Sequence, residues 1–395
     1  MRSPVFTTQS AQAETAMPAP AGKPRVCIVS LRGINTLLSR CSGFEFEDVI
    51  ASLDDVEMVI PVHSRTSRLR LKAMSAMSRF TPLARFLGRG ILPPLRHDKY
   101  EILVFVALNT RDLRVLHEVP KWRTKCDLAV CYIEEIWNSE INDGGARLDL
   151  FKQFDLIYCA FEASAPNLAE RTGRRVEYIP PGVDTLLFSP DPEQDHRPID
   201  ICNIGRRSQI THGALLEHAK RTGKFYYYDT IEGVRNAKIP GEHRYLFANI
   251  IKRSGYFIAN KAKINATDET LGQEEIGLRF FEGMAGGAVL LGEFPRTAEF
   301  ERQLGWRDSA VSVPFDCPDI ADVIADLDAQ PERLARIRRR NVWNCLQRHD
   351  WLFRWQTILD FAGLPATARM AERRTRLAQL AARFEEEKAE KVDLA

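Results

Sequence analysis

The chain has 395 residues, long enough for two or three domains with cores of their own. An apolar fraction of 45% and a charged fraction of 27% are those of an ordinary globular protein, and 55 basic against 53 acidic residues argue against a general nucleic-acid binder. No apolar run approaches the roughly 18–20 residues that cross a bilayer, no secretory signal is expected, and eight scattered cysteines without a C-x-x-C pair read as small buried hydrophobes of a cytoplasmic protein, not as a zinc site.

Residues 1–24, rich in Ala, Thr, Ser, Gln and Pro, read as a disordered tail. Order begins with the apolar run Arg25–Ser30, closed by a turn at Gly33, which is how a doubly wound domain opens, with ligands meeting the carboxyl end of the strand. Further strands follow at α/β spacing: Val56–Val62, Ile102–Ala107, Leu128–Ile133 and Leu156–Ala160. They set a first domain over about 25–185. Between Arg65 and His97 stand eight Lys or Arg and no acidic residue, interleaved with apolar side chains from Leu69 to Leu92. Such a basic amphipathic stretch suits an anionic membrane surface or an anionic lipid-linked substrate, or else a solvated helix or loop over the sheet. Glu134 and Glu135 come straight after a strand, where one of the two can face a cleft and meet an acceptor hydroxyl.

Pro180-Pro181-Gly182 is a stiff turn, and the prolines at 190, 192 and 198 extend it into a linker over 186–198. A second domain over 199–348 opens with the strand Ile199–Ile204, which ends in Gly205-Arg206-Arg207. A glycine there lets the backbone approach a ligand, and an arginine can fork two phosphate oxygens. Strands are expected at Phe225–Tyr228, Tyr256–Ala259 and Ala310–Val313, with a helix over Glu242–Lys252. Residues 270–292, TLGQEEIGLRFFEGMAGGAVLLG, predict a loop, a helix of about three turns with Leu278, Phe281, Met284 and Ala285 on its apolar face, a glycine break and a strand over Ala288–Leu291. The amides of Ile276, Gly277 and Leu278 fall in the first turn of that helix, where unpaired donors and the dipole favour a phosphate. Glu274 and Glu282 flank them, so the pattern suits a ligand that is phosphate in the middle and polyhydroxylated on both sides, such as a nucleotide sugar. The plainer reading is a helix-Gly-strand unit of any α/β domain, with Glu275 and Arg279 as an i, i+4 pair. Residues 319–346 are helical in pattern, a helix over 349–364 stops at Gly363 and Pro365, and a charged helix over 365–395 carries Leu377, Leu380 and Phe384 as a thin apolar stripe, able to dock on the body or to pair two chains.

In this order the motifs resemble the group 1 (family 4-like) branch of GT-B glycosyltransferases. Pro181-Gly-Val-Asp184 with Phe188 and Pro190 is similar to that family's interdomain segment, Gly205-Arg206 to its phosphate contact, and Glu274 to Glu282 to its E-x7-E pattern. The helix around Trp351 and Arg354 resembles the one that crosses back to the first domain. The resemblance implies two doubly wound parallel-sheet domains facing a cleft, a nucleotide sugar on the second and a glycan or lipid-linked acceptor on the first. It implies transfer with retention and without a divalent metal or other cofactor. By position it puts Glu282 on the donor ribose, Glu274 on the transferred sugar, the amides of 276–278 on the pyrophosphate and Arg206 on the leaving diphosphate, with Glu134 on the acceptor side. The family's lysine after the Gly-Arg pair is missing, and Arg207, Lys261 or Lys263 is expected in its place. A sugar-nucleotide epimerase of the same fold and a non-catalytic nucleotide-sugar-binding or membrane-scaffold protein are the alternatives.

Overall fold

A computed structural model describes residues 23–34, 36–61, 92–193, 196–230 and 236–385. The tail expected over 1–24 and the basic stretch 65–97 lie almost wholly outside the described residues. Of the latter, Leu92 and Leu95 are buried in the first domain's core.

The first domain is a six-stranded parallel sheet, β1 (Val26–Val29), β2 (Val56–Val59), β3 (Tyr100–Ala107), β4 (Cys126–Ile133), β5 (Leu156–Cys159) and β6 (Arg175–Tyr178), in the order β2-β1-β3-β4-β5-β6. Strands β1 and β5 and most of β3 and β4 read as apolar runs because both faces are covered. Along β3, Leu103, Phe105 and Ala107 enter one core cluster while Ile102, Val104 and Val106 enter the other. The second sheet has five parallel strands, β7 (Ile199–Asn203), β8 (Tyr226–Tyr228), β9 (Ser254–Ile258), β10 (Val289–Gly292) and β11 (Val311–Ser312), in the order β11-β10-β9-β7-β8. Each sheet reverses its order beside its first strand, at β1 and at β7. The carboxyl ends of these two strands are therefore where ligands meet such sheets.

The helices used below are α1 (Cys41–Leu53), α2 (Asn138–Asn142), α3 (Ala165–Thr172), α4 (Gln209–Thr222), α5 (Pro240–Lys252), α6 (Leu278–Ala285), α7 (Ala298–Leu304), α8 (Ile320–Asp328), α9 (Pro331–Arg348), α10 (Trp351–Ala362) and α11 (Ala368–Ala382). Three expectations need correction. Helix α6 has eight residues, just over two turns, because the chain before Gly277 runs beside 260–262, with the Ala262 amide donating to the Glu275 carbonyl at 3.0 Å. Glu275 therefore lies outside the helix, is buried, and accepts from Gln273 instead of pairing with Arg279. The helical pattern over 319–346 is two helices, the second opening on Pro331 in its first turn.

The domains are joined by two crossings. At the first, Val183 pairs with Asp350 of the second crossing as an isolated parallel bridge. Gly182 is required here, since a Cβ on it would lie 2.6 Å from the Trp351 ring. Helix α10 then lays Trp351, Leu352, Trp355, Ile358 and Leu359 into the first domain's core, with Trp351 stacked on Phe46 at 4.5 Å. Helix α11 docks in cis. Met370, Leu377, Ala381 and Phe384 join the same core, and Arg373 binds Asp184 and Asp350, one residue from each crossing. No helix of the described residues is long and apolar enough to cross a membrane.

Candidate active site

The carboxyl end of β7 turns at Gly205, whose φ of +116° only glycine adopts without strain. Its amide donates to Asp229 at 2.8 Å. Arg206 is exposed and bonds the Asn265 side chain at 2.8 Å. Arg207 turns the other way, to the Asp229 carbonyl at 2.7 Å, with its guanidinium 5.3 Å from the Tyr228 ring centre.

Beside this loop stands the start of α6. Gly277 is its N-cap, and the amides of Ile276, Gly277 and Leu278 donate to no protein acceptor among the described residues. Glu274 precedes them. It accepts from Lys261 Nζ at 2.5 Å and from the Arg296 amide at 2.9 Å. Partial burial works to raise its pKa, but the Lys261 ammonium and the Arg296 amide outweigh that and hold the carboxyl below its usual value. Lys261 also binds Glu293 at 2.7 Å. Lys261, Lys263, Thr270, Gln273, Glu274 and Glu293 help line an open cavity of about 330 Å³. The donor-side candidates Gly205, Arg206, Glu274 and the three amides are thus grouped at the carboxyl ends of β7 and β9.

Glu282 is placed otherwise than expected. Its side chain is wholly buried, Oε1 accepting from Arg244 and Oε2 from Arg279 Nη1 at 2.6 Å. Burial works to raise its pKa, and the two guanidinium groups overcome it, so the carboxylate stays ionised. Arg244 continues across the domain interface, where Nε and Nη2 donate to Glu45 of α1 at 2.6 and 3.2 Å. Neither Arg244 nor Arg279 stood out in the sequence as a site residue. Arg244 had no motif around it, whereas Arg279 lies inside the E-x7-E stretch.

On the first domain, Gly33 sits in the turn after β1 with φ +76°, and the residues that follow it, Thr36 and Leu37, meet Asn236 and Ala237 of the second domain. Glu134 follows β4 and accepts from Ser42 Oγ, in the first turn of α1, at 2.8 Å. Burial pushes its carboxyl up to about 8, against the Ser42 hydrogen bond and the charges of Arg40 and Arg244. Glu135 points elsewhere, to Trp137 Nε1 at 3.0 Å and to Lys263 of the second domain at 2.9 Å. Gln273 adds a polar seam between the domains, accepting from the Asn138 amide and donating to Ser164 Oγ.

No protein-family model matches this sequence, and no curated protein sequence resembles it significantly. Solved structures do resemble the fold. An alpha-glucosyltransferase in complex with UDP-glucose and DNA containing an abasic site is similar with a TM-score of 0.53 and 11% identity, over 87% of this chain and 100% of that one. An alpha,alpha-trehalose-phosphate synthase (UDP-forming) from Burkholderia vietnamiensis is similar with a TM-score of 0.51 and 12% identity, over 89% of this chain and 98% of that one. Two doubly wound parallel-sheet domains that meet at the carboxyl ends of their strands, tied by two crossings and closed by a helix returning to the first domain, give this chain the GT-B fold.

Proposed function

We propose that this protein is a glycosyltransferase, taking a sugar from a nucleotide-sugar donor on the second domain and passing it to a glycan or glycolipid acceptor on the first. The observation that carries the reading is the grouping of Gly205, Arg206, the open amides of 276–278 and Glu274 around one mouth of the second sheet. The neighbours' names agree with it, one being an alpha-glucosyltransferase in complex with UDP-glucose.

In this reading Arg206 and the amides receive the leaving diphosphate, which needs fixed positive charge as the bond from the sugar C1 to phosphate oxygen breaks. Glu274, held in place by Lys261 and the Arg296 amide, accepts hydrogen bonds from the sugar hydroxyls. The acceptor oxygen bonds to C1 and its proton leaves to the carboxylate of Glu134, whose pKa of about 8 suits proton exchange near neutrality. Retention of configuration, independence of a divalent metal, and contact of the basic stretch 65–97 with the inner face of a membrane belong to the same proposal and rest on the resemblance and the charge pattern.

The test is release of nucleoside diphosphate from a panel of UDP, GDP, ADP and dTDP sugars, with and without glycolipid acceptors. Glu274→Gln is expected to lower turnover by about 100-fold or more with the fold intact. Unchanged turnover in that variant moves the donor site elsewhere, and an isomerised sugar nucleotide formed without acceptor makes the protein an epimerase.

A further inference from the structure

The missing second cation of the donor site has a candidate in the geometry. Four basic side chains near the mouth are already engaged. Arg207 is turned onto the Asp229 carbonyl and the Tyr228 ring. Lys261 is held between Glu274 and Glu293, Lys263 lies between Glu135 and Glu269, and Arg206 is the first cation itself.

Arg279 differs from these. Its Nη1 is fixed on Glu282 Oε2 at 2.6 Å, and its guanidinium lies 4.4 Å from the Phe247 ring centre. Its Nε and Nη2 donate to nothing among the described residues, and its side chain is about one-third exposed, at 34%. The Nε stands 3.8 Å from where a Cβ would project at Gly205. An open Nε on a clamped, stacked plane therefore lies beside the glycine loop that receives phosphate in the proposed reading, with Nη2 open as well, and a planar guanidinium is the group that forks phosphate oxygens. Glu282, by contrast, has no exposed surface and gives an oxygen to each of two arginines.

We infer that Arg279 is the second diphosphate-binding cation of this protein, and that Glu282 is a positioning residue that fixes Arg279, not the ligand of the donor ribose. The inference rests on the glycosyltransferase reading and departs from the role that the E-x7-E resemblance gives to Glu282. It also explains a cation in the first turn of α6, where the helix dipole alone disfavours one. A diphosphate between Arg279 and the Gly205 loop supplies the missing counter-charge.

Titration calorimetry with UDP, GDP, ADP and dTDP identifies the diphosphate that binds, and its parent nucleoside then serves as the phosphate-free probe. Arg279→Ala is expected to weaken the diphosphate by about 10- to 100-fold and to leave the nucleoside within about twofold. Arg279→Lys, which keeps the charge and guards against a folding defect, falls between the two. Glu282→Gln is expected to weaken the diphosphate and spare the nucleoside. A Glu282→Gln protein that loses diphosphate and nucleoside affinity equally has lost a ribose ligand, and a diphosphate affinity unchanged in Arg279→Ala removes that residue from the phosphate site. Either result overturns the inference while leaving the glycosyltransferase reading standing. Failure of the wild-type protein to bind any of the four overturns both.

Discussion

Arg244 of the second domain donates from Nε and Nη2 to the carboxylate of Glu45 in the first, at 2.6 and 3.2 Å, while its Nη1 holds Glu282. The three side chains are buried, so Arg244 lies between two carboxylates at the domain interface, one of which, Glu282, also binds Arg279. Removing the cation leaves Glu45 buried without a cationic partner and Glu282 with Arg279 alone, which is costlier than removing the whole cluster. Arg244→Met is expected to destabilise the protein by about 3–5 kcal/mol in urea unfolding. The Glu45→Gln, Arg244→Met, Glu282→Gln triple variant is expected to recover part of that loss. A loss below about 1 kcal/mol in Arg244→Met places the guanidinium in water instead of at a dry interface.

The pH dependence of transfer reads Glu134. With its carboxyl pushed up to about 8 by burial, the base form gains population as pH rises. The rate at subsaturating substrate is expected to climb from pH 6 through a midpoint near pH 8 and to level off about one unit higher, and Glu134→Gln to flatten that limb and lower the plateau. A limb that persists in Glu134→Gln assigns the proton to another group.

Stability should run the opposite way with pH. Burial raises Glu47 and Glu299 to about 7, and Glu134 and Glu275 to about 8, all above their unfolded values. In each case the folded protein holds the proton more tightly than the unfolded chain, so this contribution is full below the unfolded pKa and is lost as pH rises through 7–8. The melting temperature is expected to fall by several degrees between pH 6 and pH 9 and to fall less in Glu275→Gln, as followed by calorimetry.

Arg373 makes a separable prediction at the hinge. It bonds Asp350 and Asp184 at 2.7 to 2.8 Å, while Arg354 donates to the carbonyls of Pro180 and Pro181 at 3.1 and 2.6 Å. Asp350 has no exposed side-chain surface and keeps its bonds to Thr185 and the Leu352 amide when Arg373 is removed. Arg373→Ala is therefore expected to loosen the hinge without unfolding the domains. Hydrogen exchange should quicken over 182–186 and 349–352 while the strands β3 and β4 stay protected. Equal acceleration of both sheets contradicts a local role.

Much of this fold was legible because its strands are buried on both faces. Val26–Val29, Tyr100–Ala107 and Val289–Gly292 are plain apolar runs at α/β spacing, and the crossing helix announced itself in Trp351 and Trp355. Strand β6 was not legible, since Arg175–Tyr178 is a charged, partly exposed edge strand with one aliphatic residue. The grouping of Gly205, Arg206 and Glu274 followed from motif order. What the sequence could not show was Arg244, whose partner Glu45 lies 199 positions away, and the burial of Glu282, which depends on that contact. The start of α6 also depended on a tertiary contact, the 260–262 segment that keeps Glu275 out of the helix.

The donor site is tested most directly by a thermal-shift panel of the wild-type protein and Arg206→Ala against UDP, GDP, ADP and dTDP and their sugars. A ligand that binds only the folded protein raises the melting temperature by mass action, by an amount set by its concentration over Kd. A shift of a few degrees is expected with one nucleotide family, lost or much reduced in Arg206→Ala. No shift with any of them at millimolar concentration contradicts a nucleotide-sugar site in the second domain.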